Sequence, residues 1–187
     1  MNDALWYLGR GTGLTALIAF TASIWLGVLT RSGREALGLS RFTLADLHRV
    51  VALTGTGLVA VHVLTLLFDP YSQLRVVDMF FPFAARYRPL YLGLGTLAVD
   101  ILLVVVASSL LRQRLGPRTF KAIHWGTYVL WPFAFVHSLG AGTDAGSRWF
   151  TLTAVACAVW VAGVLLWRLS KAFHDRGVPR VPRSVVR

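Results

Sequence analysis

The sequence is short of charge and of cysteine. Charged residues make up 14% of the 187-residue chain, whereas a soluble domain carries about a quarter. That shortage excludes an ordinary water-soluble globule. A single cysteine, Cys157, excludes an intrachain disulfide and any cluster built on several thiolates. Set in an apolar run, it reads as a small packed side chain. No G-x-G-x-x-G motif is present, so the usual dinucleotide signature is missing. Gly-Thr-Gly-Leu occurs twice, at Gly11–Leu14 and Gly55–Leu58. No Lys-Ser/Thr follows either copy, so neither is a phosphate loop; small residues inside membrane spans instead let helices pack closely.

Apolar residues fill 56% of the chain, with 7 Trp, 11 Phe and 5 Tyr, as in a membrane protein with interfacial aromatics. Crossing about 30 Å of hydrocarbon takes roughly 20 apolar residues. Five such spans can be drawn: Leu8–Leu29, Leu44–Phe68, Pro89–Leu111, Phe120–Leu139 and Trp149–Leu169. Lipid offers no partner to an unpaired backbone group, so each is expected to be a helix. The fold expected is an all-α integral membrane protein, a five-helix transmembrane bundle over residues 1–170, with a basic tail at 171–187. The first span lacks a small-residue cleavage site and reads as a helix rather than a signal peptide.

The net charge of +11 does not point to nucleic acid, because the basic residues sit in the connections between spans. Fourteen of the 19 Lys and Arg fall in the first and third connections and the C-terminal end. Arg10, Arg75, Arg86, Arg88 and Arg148 fall on the other side. The positive-inside rule places the N-terminus outside and the C-terminus in the cytoplasm of an inner (plasma) membrane. The connection Asp69–Arg88 carries Met79-Phe80-Phe81-Pro82-Phe83 and is expected to lie in the interface as a lid.

Four of the five histidines lie in two spans: His48 and His62, 14 residues apart, and His124 and His137, 13 apart. Ionisable residues inside a membrane are costly and mark function. The second and fourth spans run in the same direction. His48 and His124 therefore share one depth, near the cytoplasm, and His62 and His137 another, roughly 20 Å away. Two imidazoles at each level are what two stacked b-type hemes require as axial iron ligands. Gly55 and Gly57, between His48 and His62, are candidates to let a porphyrin lie against the helix. Propionates need cationic partners; Arg49 on the inner side and Arg10 and Arg86 on the outer side are the first candidates. Asp100 is the only acid near the middle of its span and is read as a proton relay or a structural hydrogen-bond partner. His174, in the polar tail, reads as solvated.

Rotation raises one difficulty. Fourteen residues at about 100° each return to within roughly 40° of the same face, but thirteen leave His137 about 140° from His124. Pro132 lies between them, and a kink near Trp131-Pro132 is expected.

At the four histidines the chain resembles the ferric reductase-like transmembrane domain. NADPH oxidases, ferric reductases and the heme-binding membrane subunit of the periplasmic methionine sulfoxide reductase system share that domain. The 14 and 13 spacings are similar to the NADPH oxidase pattern, and Arg10-Gly11-Thr12-Gly13-Leu14 is similar to the first helix of the methionine sulfoxide reductase subunit. The resemblance implies His48 with His124 on an inner heme and His62 with His137 on an outer one. NADPH oxidases add a sixth span and a flavin and nicotinamide domain; the nearer likeness is to short bacterial members without a flavin domain. The function expected is transmembrane electron transfer by an oxidoreductase component in the lipid bilayer. Its donor is a quinol or a separate flavoprotein, and its acceptor is extracytoplasmic, a flavoprotein among the candidates. Two alternatives are a heme-binding subunit serving a separate periplasmic reductase, and a histidine-lined metal or proton transporter.

Overall fold

The computed structural model describes residues 4–32, 38–72 and 74–173. Arg34, His174 and the tail beyond it lie outside them. The described residues form seven helices: α1 (Ala4–Ser32), α2 (Arg41–Leu67), α3 (Val76–Phe80), α4 (Pro89–Leu110), α5 (Arg112–His124), α6 (Thr127–Ala141) and α7 (Arg148–Leu169). A 3-10 turn, Thr143–Gly146, joins the last two. Four of them, α1, α2, α4 and α7, are long and apolar enough to cross a membrane. Leu103, Leu152 and Leu166 are more than half exposed, as suits faces turned to lipid rather than water.

The fourth expected span departs from a single helix. Residues 120–139 are shared between α5 and α6 with a turn at Trp125-Gly126. With 15 residues, α6 rises only about 22 Å. The interruption lies away from Pro132, where a kink is expected. Pro132 lies within continuous α6, and the chain tightens instead just after His124. There Gly126 N–H donates to Ile123 O at 2.8 Å, Tyr128 N–H to Trp125 O at 3.0 Å and Val129 N–H to Gly126 O at 3.0 Å. Those are three-residue steps. Each residue in such a step turns the chain by about 120° rather than 100°, which recovers part of the rotation that a regular helix would leave between His124 and His137. On α7, Arg168 stacks over Trp125 at 5.4 Å and Tyr128 at 5.6 Å, a cation–π clamp on this turn.

Local chemistry sets the helix ends. Ser40, in extended conformation, caps α2 by accepting from Thr43 N–H at 3.2 Å, which satisfies one of its free donors. Pro89 opens α4 at its first position, where a missing N–H costs nothing.

Packing centres on α1. It lies antiparallel along α2, and its other side meets α6 and α7. Leu17 joins Trp131, Cys157 and Val161 in one buried cluster, so Cys157 packs as a small apolar side chain. The Trp131 indole N–H donates to Thr21 Oγ1 at 2.9 Å, tying α6 to α1 in the interior. Partnered by α6, α4 forms a second wall through Ala98, Leu102 and Leu130. Between the α1–α2 pair and the α4–α6 pair the histidines meet.

Candidate functional site

The structure brings the four histidines together in two pairs. His48 of α2 faces His124 of α5, with ring centroids 6.2 Å apart and planes at 75°. His62 of α2 faces His137 of α6, also at 6.2 Å, with planes at 86°. All four rings are only partly buried, because each is turned toward the space between the helix pairs.

Three of the rings are anchored alike. His62 Nδ1 is 2.6 Å from Gly9 O, His48 Nδ1 is 2.9 Å from Ser23 O, and His137 Nδ1 is 2.8 Å from Tyr91 O. A carbonyl can only accept, so Nδ1 carries the proton and Nε2 presents its lone pair. This is how metal-ligating imidazoles are usually fixed. Four residues beyond each acceptor stands a glycine against the ring. A Cβ on Gly13 would lie 2.7 Å from His62 Nδ1, one on Gly95 2.5 Å from His137 Nδ1, and one on Gly27 3.3 Å from His48 Cε1. Gly9 and Ser23 are 14 residues apart, as are Gly13 and Gly27, matching the His48–His62 spacing in the antiparallel α2. A reading centred on the histidines passes over this signal, although the 14-residue echo in α1 is visible in the sequence.

The outer pair lies in the wall of a cavity of about 800 Å³, within the roughly 300–1,000 Å³ usual for cofactor sites. Val59, Leu102, Leu130 and Ala134 give it an apolar interior; Trp6, Tyr7, Arg10, Tyr87 and Asp144 line its outer end. Gly55 is not against this space. It receives Phe20 and Ala19 of α1, 3.1 Å and 3.4 Å from where its Cβ would be, and Gly57 has nothing within 4 Å. Arg10 at the cavity mouth is engaged by Asp144, its Nε 2.7 Å from Oδ2, and stacks near Trp6 and Tyr7. Arg86 and Arg49 are exposed and do not line the cavity. Arg88 donates to Gly140 O, fastening the start of α4 to the end of α6. Asp100 is half-buried on α4 and outside the cavity wall.

The aromatic connection contributes α3 to the outer end. Asp78 and Met79 line the cavity, while Phe80 and Phe81 are exposed. Thr96 Oγ1 donates to Asp78 O at 2.8 Å, fixing α3 on α4. The buried Asp78 carboxylate accepts from Arg75 Nη2 at 2.7 Å and Nε at 3.1 Å. Those hydrogen bonds hold its carboxyl below the ordinary carboxylate range. A depressed folded pKa contributes stability that is present above the unfolded value of about 3.9 and lost as pH falls through the folded value. Hydrogen exchange of the 75–80 amides is therefore expected to respond little to the Asp78 carboxyl between pH 8 and 5. Relative to the intrinsic rate, which itself falls with pH, exchange should rise only below about pH 4, and Arg75→Ala should shift that onset upward.

Among the described residues no group of three or more His, Cys, Asp or Glu is arranged to hold a metal ion. The donors come in twos. Imidazole nitrogens bind metals at about 2.0 Å, so two rings on opposite sides of one ion put their centroids roughly 6 Å apart. Both pairs have that spacing. Residues 12–135 match the family described as ferric reductase like transmembrane component.

The chain belongs to the ferric reductase-like transmembrane family. Searches of curated proteins and of solved structures return no match. The family match takes in His48, His62 and His124 and stops two residues before His137. Proteins of the ferric reductase-like family generally bind heme, and the membership with the apolar helices makes this a multi-pass membrane protein. Its family-level function is transmembrane electron transfer.

Proposed function

We propose that this ferric reductase-like chain holds two b-type hemes, one between His48 and His124 and one between His62 and His137. On this reading it carries electrons from the cytoplasmic side or from membrane quinol to an extracytoplasmic acceptor. The observation that carries the reading is the pair of facing imidazoles at each of two levels. Two nitrogen donors fall short of the three or four protein ligands of a zinc site, which weighs against a histidine-lined transporter. They suffice for an iron whose other four ligands come from a porphyrin. Such an iron exchanges single electrons and leaves no coordination position for a substrate.

The protein's own part is placement. Gly9, Ser23 and Tyr91 carbonyls orient three imidazoles, and Gly13, Gly27 and Gly95 let the neighbouring helices close on the rings. Fourteen residues of α2 set the two levels about 21 Å apart along the helix. The outer cavity is apolar where a macrocycle would lie and charged only at its mouth. Arg10, already held by Asp144, is the cation nearest to a propionate role there; Arg86 and Arg49 would have to reorient. The fourteen inner cations set the orientation, C-terminus in the cytoplasm. The donor is a quinol or a separate flavoprotein. The acceptor is an extracytoplasmic flavoprotein or a ferric chelate.

Vesicles carrying the heme-loaded protein, with an impermeant reductant on the inner side and ferricyanide outside, test this reading. Ferricyanide loss well above that of empty vesicles is expected, with His48→Ala slowing it at least tenfold. Transfer no faster than in empty vesicles would sink it.

A further inference from the structure

His124 breaks the pattern the other three histidines share. Its Nδ1 is buried and has no hydrogen-bond partner among the described residues. The reason lies in α4. At the outer level α4 supplies Tyr91 O as acceptor and Gly95 as the residue without a side chain. Fourteen residues on, the same register brings Val105 and Ser109. Val105 sits beside the turn that follows His124: a Cβ on Gly126 would lie 3.8 Å from Val105 Cγ2. Its carbonyl already accepts from Ser108 Oγ and Ser109 Oγ, both at 2.8 Å. Ser109 also puts a side chain at the position where the outer level has glycine. What holds the His124 ring is instead Phe120, stacked at 5.3 Å, a contact that fixes neither tautomer nor basicity.

A hydrogen bond from Nδ1 to a carbonyl strengthens the opposite nitrogen as a donor, and losing such a partner commonly costs about 10–100-fold in metal affinity. We infer that His124 is the displaceable ligand of the inner site, so that a small neutral π-acceptor ligand can replace it on reduced iron while His48, His62 and His137 stay bound. The inner level then doubles as a gas-ligand site, a property the symmetric outer level lacks. The inference rests on the two-heme reading, and the experiment separates the two.

The probe is carbon monoxide added to the dithionite-reduced, detergent-purified protein, with heme counted on the same sample. Two hemes per chain and a carbonyl spectrum from half of them is the expected result. The inner heme that His124→Ala retains should give the same carbonyl spectrum with faster uptake, since no imidazole has to leave. Ser108→Ala with Ser109→Gly frees the Val105 carbonyl and reopens the space beside it, and is expected to weaken carbon monoxide binding at least tenfold. Two hemes with no carbon monoxide bound, equal binding at both, or a double-serine variant with unchanged affinity would each overturn the inference. Fewer than two hemes overturns the underlying reading instead.

Discussion

His62→Ala is expected to remove one heme of two and to leave the inner level spectroscopically unchanged. Two contacts place the ring: its Nδ1 proton goes to Gly9 O and its other edge faces His137. Alanine supplies no nitrogen, so the outer iron would keep one axial ligand. Heme per chain, counted after extraction, should fall by about half, and His137→Ala should match it. In vesicles the same variants should cut transfer at least tenfold, because the proposed route leaves through the outer level. The six-coordinate signal of the inner level should persist. Full retention of heme in His62→Ala contradicts the assignment.

The second large effect comes from one methyl group. Gly→Ala in a helix interior ordinarily stabilises by about 1 kcal/mol. At Gly95 the new Cβ would stand 2.5 Å from His137 Nδ1, and at Gly13 2.7 Å from His62 Nδ1. The ring must move, and the bond to Tyr91 O or Gly9 O is lost with it. Overpacking of this kind costs about 1–3 kcal/mol, which outweighs the gain in helix propensity. Gly95→Ala and Gly13→Ala are therefore expected to lose outer heme as His62→Ala does, with a lowered melting temperature. Gly11→Ala, with nothing within 4 Å of its Cβ, is the control and should be neutral or stabilising. If all three glycines behave alike, the ring contacts are not what the glycines are for.

Much of the site was legible because membranes punish polarity. Four imidazoles in apolar spans at matched spacings predict which rings meet, and His48 meets His124 as His62 meets His137. Backbone carbonyl partners were not legible, since a carbonyl exists at every residue and only the helix register selects Gly9, Ser23 and Tyr91. Gly55 illustrates the same limit. Its place midway between His48 and His62 suggested room for a porphyrin, but the register of α1 sets Phe20 there. The rotation between His124 and His137 was read correctly as a problem. Its relief is expected at Pro132 from the sequence, whereas the three-residue steps around Gly126 contribute to it in the structure. Proline can sit in a membrane helix when neighbouring helices satisfy what it frees, and glycine followed by a threonine is the weaker point. Charge told least about Arg10, because its partner Asp144 lies 134 residues away.

Heme content per chain, taken with a reduced-minus-oxidised spectrum of the purified protein, tests the central claim most directly. Two hemes per chain with the spectrum of six-coordinate b-type iron is the predicted result. A folded, colourless protein, or one heme per chain that survives loss of either histidine pair, would contradict it.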